Sequence, residues 1–80
     1  MTQEEFTEYY QRLSEKAGEY VKGNSDMRWG QALMNAIGDT DRVIYRAITG
    51  TDSDPFYSDK RINKFINWLR DYFHVEMRAR

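Results

Sequence analysis

Asp52, Asp54 and Asp59 surround the single proline, Pro55, and the adjacent aromatics Phe56 and Tyr57 in the stretch "GTDSDPFYSD". Carboxylates this close in sequence raise the question of a divalent cation. A calcium loop of the helix–loop–helix type needs oxygen ligands at positions 1, 3 and 5, glycine at 6 and glutamate at 12. Counted from Asp52, Asp54 fits the third position, but Phe56, Tyr57 and Asn63 fall at the fifth, sixth and twelfth. Asp39 and Asp41 fail in the same way, with Val43 at the next ligand position. The aspartates read instead as turn and capping residues, and no metal site is expected. The chain has no cysteine and one histidine, His74, which excludes thiolate and multi-histidine metal sites and leaves no imidazole beside a nucleophile. No glycine-rich phosphate loop is present, and no carboxylate pair stands out for acid–base work. Neither an enzymatic activity nor a cofactor is expected.

Three other groups of residues could recognise a partner. Arg28, Gln31 and Asn35 lie at i, i+3 and i+7 and share one face of a helix. They form either a polar binding groove or an internal network to residues 50–59, with Arg28 paired to Asp54 or Asp59. Lys60, Arg61 and Lys64 open the last helix with Asn63, Asn67 and Trp68 between them, a pattern that suits a nucleic-acid-binding helix. The nearby aspartates would repel phosphate. Aromatic residues make up 15% of the chain, more than a small core can bury, so Trp68 and Tyr45, at the flanks of their stripes, are candidate protein contacts.

The elements that position these groups are helical. Thr2 and Glu5 form a capping box, with Met1 and Phe6 placed for a hydrophobic staple. Phe6, Tyr9, Tyr10, Leu13, Ala17, Tyr20 and Val21 then mark the buried face of a first helix that ends at Gly23-Asn24. A second helix, capped by Ser25 or Asp26 and ended by Gly38, turns Trp29, Ala32, Leu33, Ala36 and Ile37 inward. Gly30 within it is expected to permit a close backbone approach. Asp39 or Thr40 caps a short third helix with Val43, Ile44, Ala47 and Ile48 inward, and Gly50 ends it. Asp54 before Pro55 forces a turn. Phe56 is expected to plug the end of the bundle, and Tyr57 to form a staple with Ile62 after the N-cap Ser58. Ile62, Phe65, Ile66, Leu69, Tyr72 and Phe73 define the last helix. The expected fold is all-α: a single domain over residues 1–80, built as a small bundle of four helices, the third of them short, with no sheet.

At 80 residues the core is modest, and without disulfides such a domain relies on helix packing or self-association. The formal charge of -1 offers no field for nucleic acid or a membrane surface. An acidic first helix and a basic last helix suit an antiparallel bundle or a homo-oligomer assembled head to tail. No apolar run approaches the roughly 20 residues that span a bilayer, and the start "MTQEEF" is unlike a targeting peptide, so no membrane association and a cytoplasmic location are expected.

"RWGQALMNAI" and "GTDSDPFYSDKRINKFINWL" together resemble a group of short uncharacterised bacterial and phage or prophage-encoded proteins. The likeness rests on Arg28, Gly30, Gln31, Ala32, Asn35 and Ala36, then on Gly50, Thr51, Asp54, Pro55, Phe56, Tyr57, Asp59, Arg61, Ile62 and Phe65. It implies a phage or prophage accessory factor that binds a host or defence protein complex as inhibitor or adaptor. The expected function is accordingly that of a small intracellular interaction protein. The alternative is a nucleic-acid-binding regulator that uses residues 60–68.

Overall fold

The computed structural model describes residues 1–75, and the helices follow the expected order. Helix α1 spans Gln3–Gly23, α2 Trp29–Thr40, α3 Arg42–Ile48 and α4 Ile62–Tyr72, with a single 3-10 turn, Asp59–Arg61, leading into α4. No strand occurs among the described residues. The molecule is elongated, about 42 × 23 × 23 Å, because α1 is 21 residues long and outreaches the rest.

The capping box that starts α1 forms as the sequence predicts. Thr2 Oγ1 accepts from the Glu5 amide at 3.1 Å, and Glu5 Oε1 accepts from the Thr2 amide at 2.8 Å. The bond to the Thr2 backbone is the main reason that the Glu5 carboxyl titrates below its usual range. Phe6, Leu13 and Ala17 are buried, at helical spacings of seven and four, and Tyr9, Tyr10, Tyr20 and Val21 pack around them.

Helix α2 is the central element: it packs against α1, α3 and the 3-10 turn. Ala32, Leu33, Ala36 and Ile37 face the core as the stripe requires, and Met34 and Gly30 are buried as well because the 54–59 segment covers a second side. Trp29 departs from the expectation at 36% exposed. It is the first residue of its helix, and a helical side chain leans toward the N-terminus, so Trp29 reaches past the end of the core. The helix also runs on through Gly38 to Thr40 instead of ending there.

Neither Asp39 nor Thr40 caps α3. Asp41 does, accepting from the Val43 and Ile44 amides at 3.1 and 3.2 Å. Ile44 and Ile48 are buried, but Ala47 is exposed and Val43 is 68% exposed, against expectation. The helix is rolled toward Tyr45, whose ring lies against Gly38; a Cβ there would stand 3.2 Å from Tyr45 Cδ1. A tyrosine ring removes more apolar area from water than valine does, so the roll that seats Tyr45 wins over the one that would bury Val43.

In α4, Phe65 and Leu69 are fully buried and Ile62, Ile66, Trp68 and Phe73 partly so, while Tyr72 stands 42% exposed at the end of the stripe. The helix closes in a Schellman motif: the Val75 amide donates to the Arg70 carbonyl at 3.0 Å and the His74 amide to the Asp71 carbonyl at 3.2 Å. His74 holds the left-handed position at φ 52°, and Val75 is buried behind it. This end of α4 meets the start of α1. Arg70 donates to Gln3 Oε1 at 2.8 Å and stacks its guanidinium 4.8 Å above the Phe6 ring, while Tyr9 meets Phe73 edge-on at 4.9 Å. Among the described residues the first and last helices thus meet through an arginine on an aromatic ring and an amide, and no α1 glutamate forms an ion pair.

Candidate functional site

Residues 49–61 form a tied structure. Gly50 takes the left-handed position after α3 at φ 80°, as expected. Thr51 Oγ1 donates to the Ile48 carbonyl at 2.7 Å and accepts from the Ser53 amide at 3.2 Å. Asp54, only 3% exposed, holds the turn from inside: its two carboxylate oxygens accept from the Gly50 amide at 2.8 Å and the Phe56 amide at 2.9 Å. Pro55 is buried beside it. Ser58 then caps the 3-10 turn through the Lys60 amide, as expected.

The three aspartates thus serve three different partners. Asp54 ties the turn. Asp52, at the surface, accepts from Lys64 Nζ at 2.6 Å, and this hydrogen bond is the first cause of its lowered pKa. Asp59 Oδ1 accepts from the Gly30 amide at 2.9 Å and lies 3.5 Å from Arg28 Nη1. Among the described residues no three histidine, aspartate or glutamate side chains gather as a group that could hold a metal ion.

Asp59 is also the cap of α2, which neither Ser25 nor Asp26 supplies. Gln31 Oε1 accepts from the Arg28 amide at 3.0 Å, and Asp59 satisfies the Gly30 amide from 29 residues away. Arg28 completes the clamp by donating from Nη2 to the Phe56 carbonyl at 2.7 Å. Gly30 is required here: a Cβ would collide with the Pro55 carbonyl oxygen and stand 2.8 Å from Asp59 Oδ1. Of the face Arg28–Gln31–Asn35, the first two therefore belong to an internal network, and the arginine pairs with Asp59, not Asp54. Asn35 lies apart; its Nδ2 contacts Met27 Sδ at 3.7 Å, and it lines a shallow polar cleft with Tyr20, Gly38, Asp39, Arg42 and Tyr45.

The clamped segment presents a second, apolar cleft of about 190 Å³, lined by Met34, Tyr45, Thr49, Gly50, Asp54, Phe56 and Tyr57. Phe56 is half-buried against the core, which agrees with its expected role as a plug. Tyr57 does not form the staple. It is 79% exposed and sits edge-on to Phe56 at 5.0 Å, because Phe56 takes the inward position and the 3-10 turn changes the approach to α4. Tyr45 forms a wall between the two clefts, with the Arg42 guanidinium 5.9 Å from its ring centroid.

The other candidates stand elsewhere. Trp68 is half-buried, packed on the core and stacked on Tyr72 at 5.3 Å, so it is a weaker contact candidate than Tyr57. Lys60, Arg61 and Lys64 remain exposed, but Lys64 is engaged by Asp52. Periodicity missed Tyr57 because an aromatic between a proline and an N-cap fits a staple as well as a surface; its adjacency to Phe56, where two rings compete for one inward position, is the signal that separates them. No family model, curated protein or solved structure matches the chain.

Proposed function

We propose that this chain is a small helical interaction module that binds a protein partner through the cleft between Tyr45, Phe56 and Tyr57. The observation that supports this most is Tyr57 itself, a large aromatic left 79% exposed at the mouth of an apolar cleft, on a turn tied by Asp54 and Asp59. Tyrosine is enriched among the residues that carry binding energy at interfaces. A ring already packed against Phe56 gives up little side-chain freedom when a partner closes over it. The tied turn likewise needs no ordering on binding.

A host or defence complex as partner, and a phage or prophage setting, rest on the family resemblance alone. A second copy of the chain is the competing occupant. A cytoplasmic location belongs to this proposal, and the cysteine-free composition suits it. No helix among the described residues is long and apolar enough to cross a membrane.

A nucleic-acid-binding role for Lys60, Arg61 and Lys64 has less support. Asp52 neutralises Lys64, and Asp59 lies in the same turn as Lys60 and Arg61, where its charge opposes phosphate. Affinity capture from the native host separates the readings. The wild-type chain is expected to retain a protein that nuclease treatment does not release and that Tyr57→Ala fails to capture. A partner released by nuclease and still captured by Tyr57→Ala contradicts the proposal.

A further inference from the structure

The chain has four asparagines, and only Asn24 lies outside a helix: Asn35 is in α2, and Asn63 and Asn67 are in α4. Asn24 closes α1 in extended backbone, φ -150° and ψ 96°, with its own amide donating to the Val21 carbonyl at 3.2 Å. A tight turn follows, in which the Met27 amide donates to the Asn24 carbonyl at 3.1 Å. Asn24 Oδ1 accepts from the Asp26 amide at 3.2 Å, so the side-chain amide is folded back along the Ser25 peptide. The Ser25 amide itself donates no hydrogen bond among the described residues. Asn24, Ser25 and Asp26 are all exposed to water.

We infer that Asn24 is a site of spontaneous deamidation, with the Ser25 backbone nitrogen as the nucleophile. That nitrogen attacks Asn24 Cγ and gives up its proton; the Cγ–Nδ2 bond breaks, and ammonia leaves with the proton as a cyclic imide closes. Water then opens the imide. Opening at Cγ gives aspartate, and opening at the backbone carbonyl gives isoaspartate, with the chain running through Cβ. No oxidant or cofactor takes part. Negative charge gathers on Oδ1 during the attack, and the Asp26 amide is already aimed at that oxygen, as an oxyanion donor must be. At Asn35, Asn63 and Asn67 the helical backbone holds the following nitrogen away from Cγ, so cyclisation there waits on local opening of the helix. Both products act on the connection between α1 and α2. Aspartate puts a negative charge at the C-terminus of α1, the wrong sign for the helix dipole. Isoaspartate adds a methylene to the backbone of the turn that leads to Arg28 and its clamp on Asp59.

The test ages the full chain in mildly alkaline buffer at physiological temperature. Peptide mapping by mass spectrometry reads the amide-to-acid mass gain at each asparagine, and labelling by an isoaspartyl methyltransferase reads the isoaspartate. Asn24 is expected to convert about tenfold or more faster than Asn35, Asn63 and Asn67, with isoaspartate at Asn24 as the main labelled product. Ser25→Pro removes the attacking N–H. The extended backbone at Asn24 accepts a following proline, and proline suits the second position of a turn, so the fold is kept. Ser25→Pro should therefore retain its helical circular dichroism while Asn24 keeps its amide. Ser25→Val, which leaves the N–H but sets a branched side chain beside it, should slow conversion several fold and serves the same purpose if the proline variant does not fold. Conversion at Asn24 no faster than at the helical asparagines, or an unchanged rate in folded Ser25→Pro or Ser25→Val, would overturn the inference. Either failure leaves the Tyr57 cleft untouched.

Discussion

Gly30 and Gly18 carry the same label in the sequence, a glycine inside a helix, and opposite meanings in the structure. At Gly30 any side chain must displace the Pro55 carbonyl and Asp59, whereas nothing lies within 4 Å of a Cβ at Gly18. Gly30→Ala is therefore expected to destabilise the protein by about 1–3 kcal/mol through overpacking and a disturbed cap. Gly18→Ala, in the interior of α1, should stabilise it by roughly 0.8–1 kcal/mol from helix propensity alone. Urea denaturation of the two variants checks both signs. His74 is the reverse case, a side chain where the left-handed backbone favours none. His74→Gly should add about 0.5–1 kcal/mol, read in the same assay, and a loss would mean that the imidazole has a contact worth more than the backbone strain. Tyr9 ties stability to alkaline pH. Its folded pKa of about 12 lies above the usual 10, so its contribution is complete below pH 10 and is lost as pH rises from 10 to 12. Thermal melting should fall over that window, and less steeply in Tyr9→Phe. The need for space at Gly30 was legible as a helical glycine in the sequence; what needs the space was not, because Pro55 and Asp59 lie far along the chain.

At the scale of elements, the four helices were legible because each buries one face and so writes its period into the sequence. Their ends were less so. The cap of α1 is local, Thr2 with Glu5, and could be read directly; the cap of α2 comes from Gln31 and from Asp59, and a cap supplied across 29 residues leaves no mark near the helix that it serves. The roll of α3 was equally hidden: Val43 and Tyr45 flank the same two isoleucines, and the choice depends on Gly38 in another helix. The cap at Gly30 can be tested as a long-range element contact. Asp59→Ala should cost about 1–2 kcal/mol, within the range for losing an N-cap. Arg28→Ala should cost less, about 0–1 kcal/mol from the ion pair, because both side chains of that pair are 41% and 46% exposed. If urea denaturation ranks Arg28→Ala above Asp59→Ala, the arginine's bond to the Phe56 carbonyl, not the aspartate cap, is what fixes the turn.

For the whole molecule, these contacts make one arrangement: α2 is the spine, the 49–61 segment is clamped to its first turn, and the clamp presents Tyr57 beside an apolar cleft. A polar network that looked in sequence like a candidate groove is spent on holding the platform, and the exposed aromatic on that platform becomes the candidate contact. The most direct test titrates the captured partner into wild-type chain, Tyr57→Ala, and Lys60→Ala combined with Arg61→Ala, at low and high salt, with melting curves for each. Tyr57→Ala is expected to weaken binding by about tenfold or more at an unchanged melting temperature, while the double variant stays within about twofold and salt has little effect. Binding that survives Tyr57→Ala, collapses in the double variant and falls steeply with salt would contradict it and assign the surface to nucleic acid.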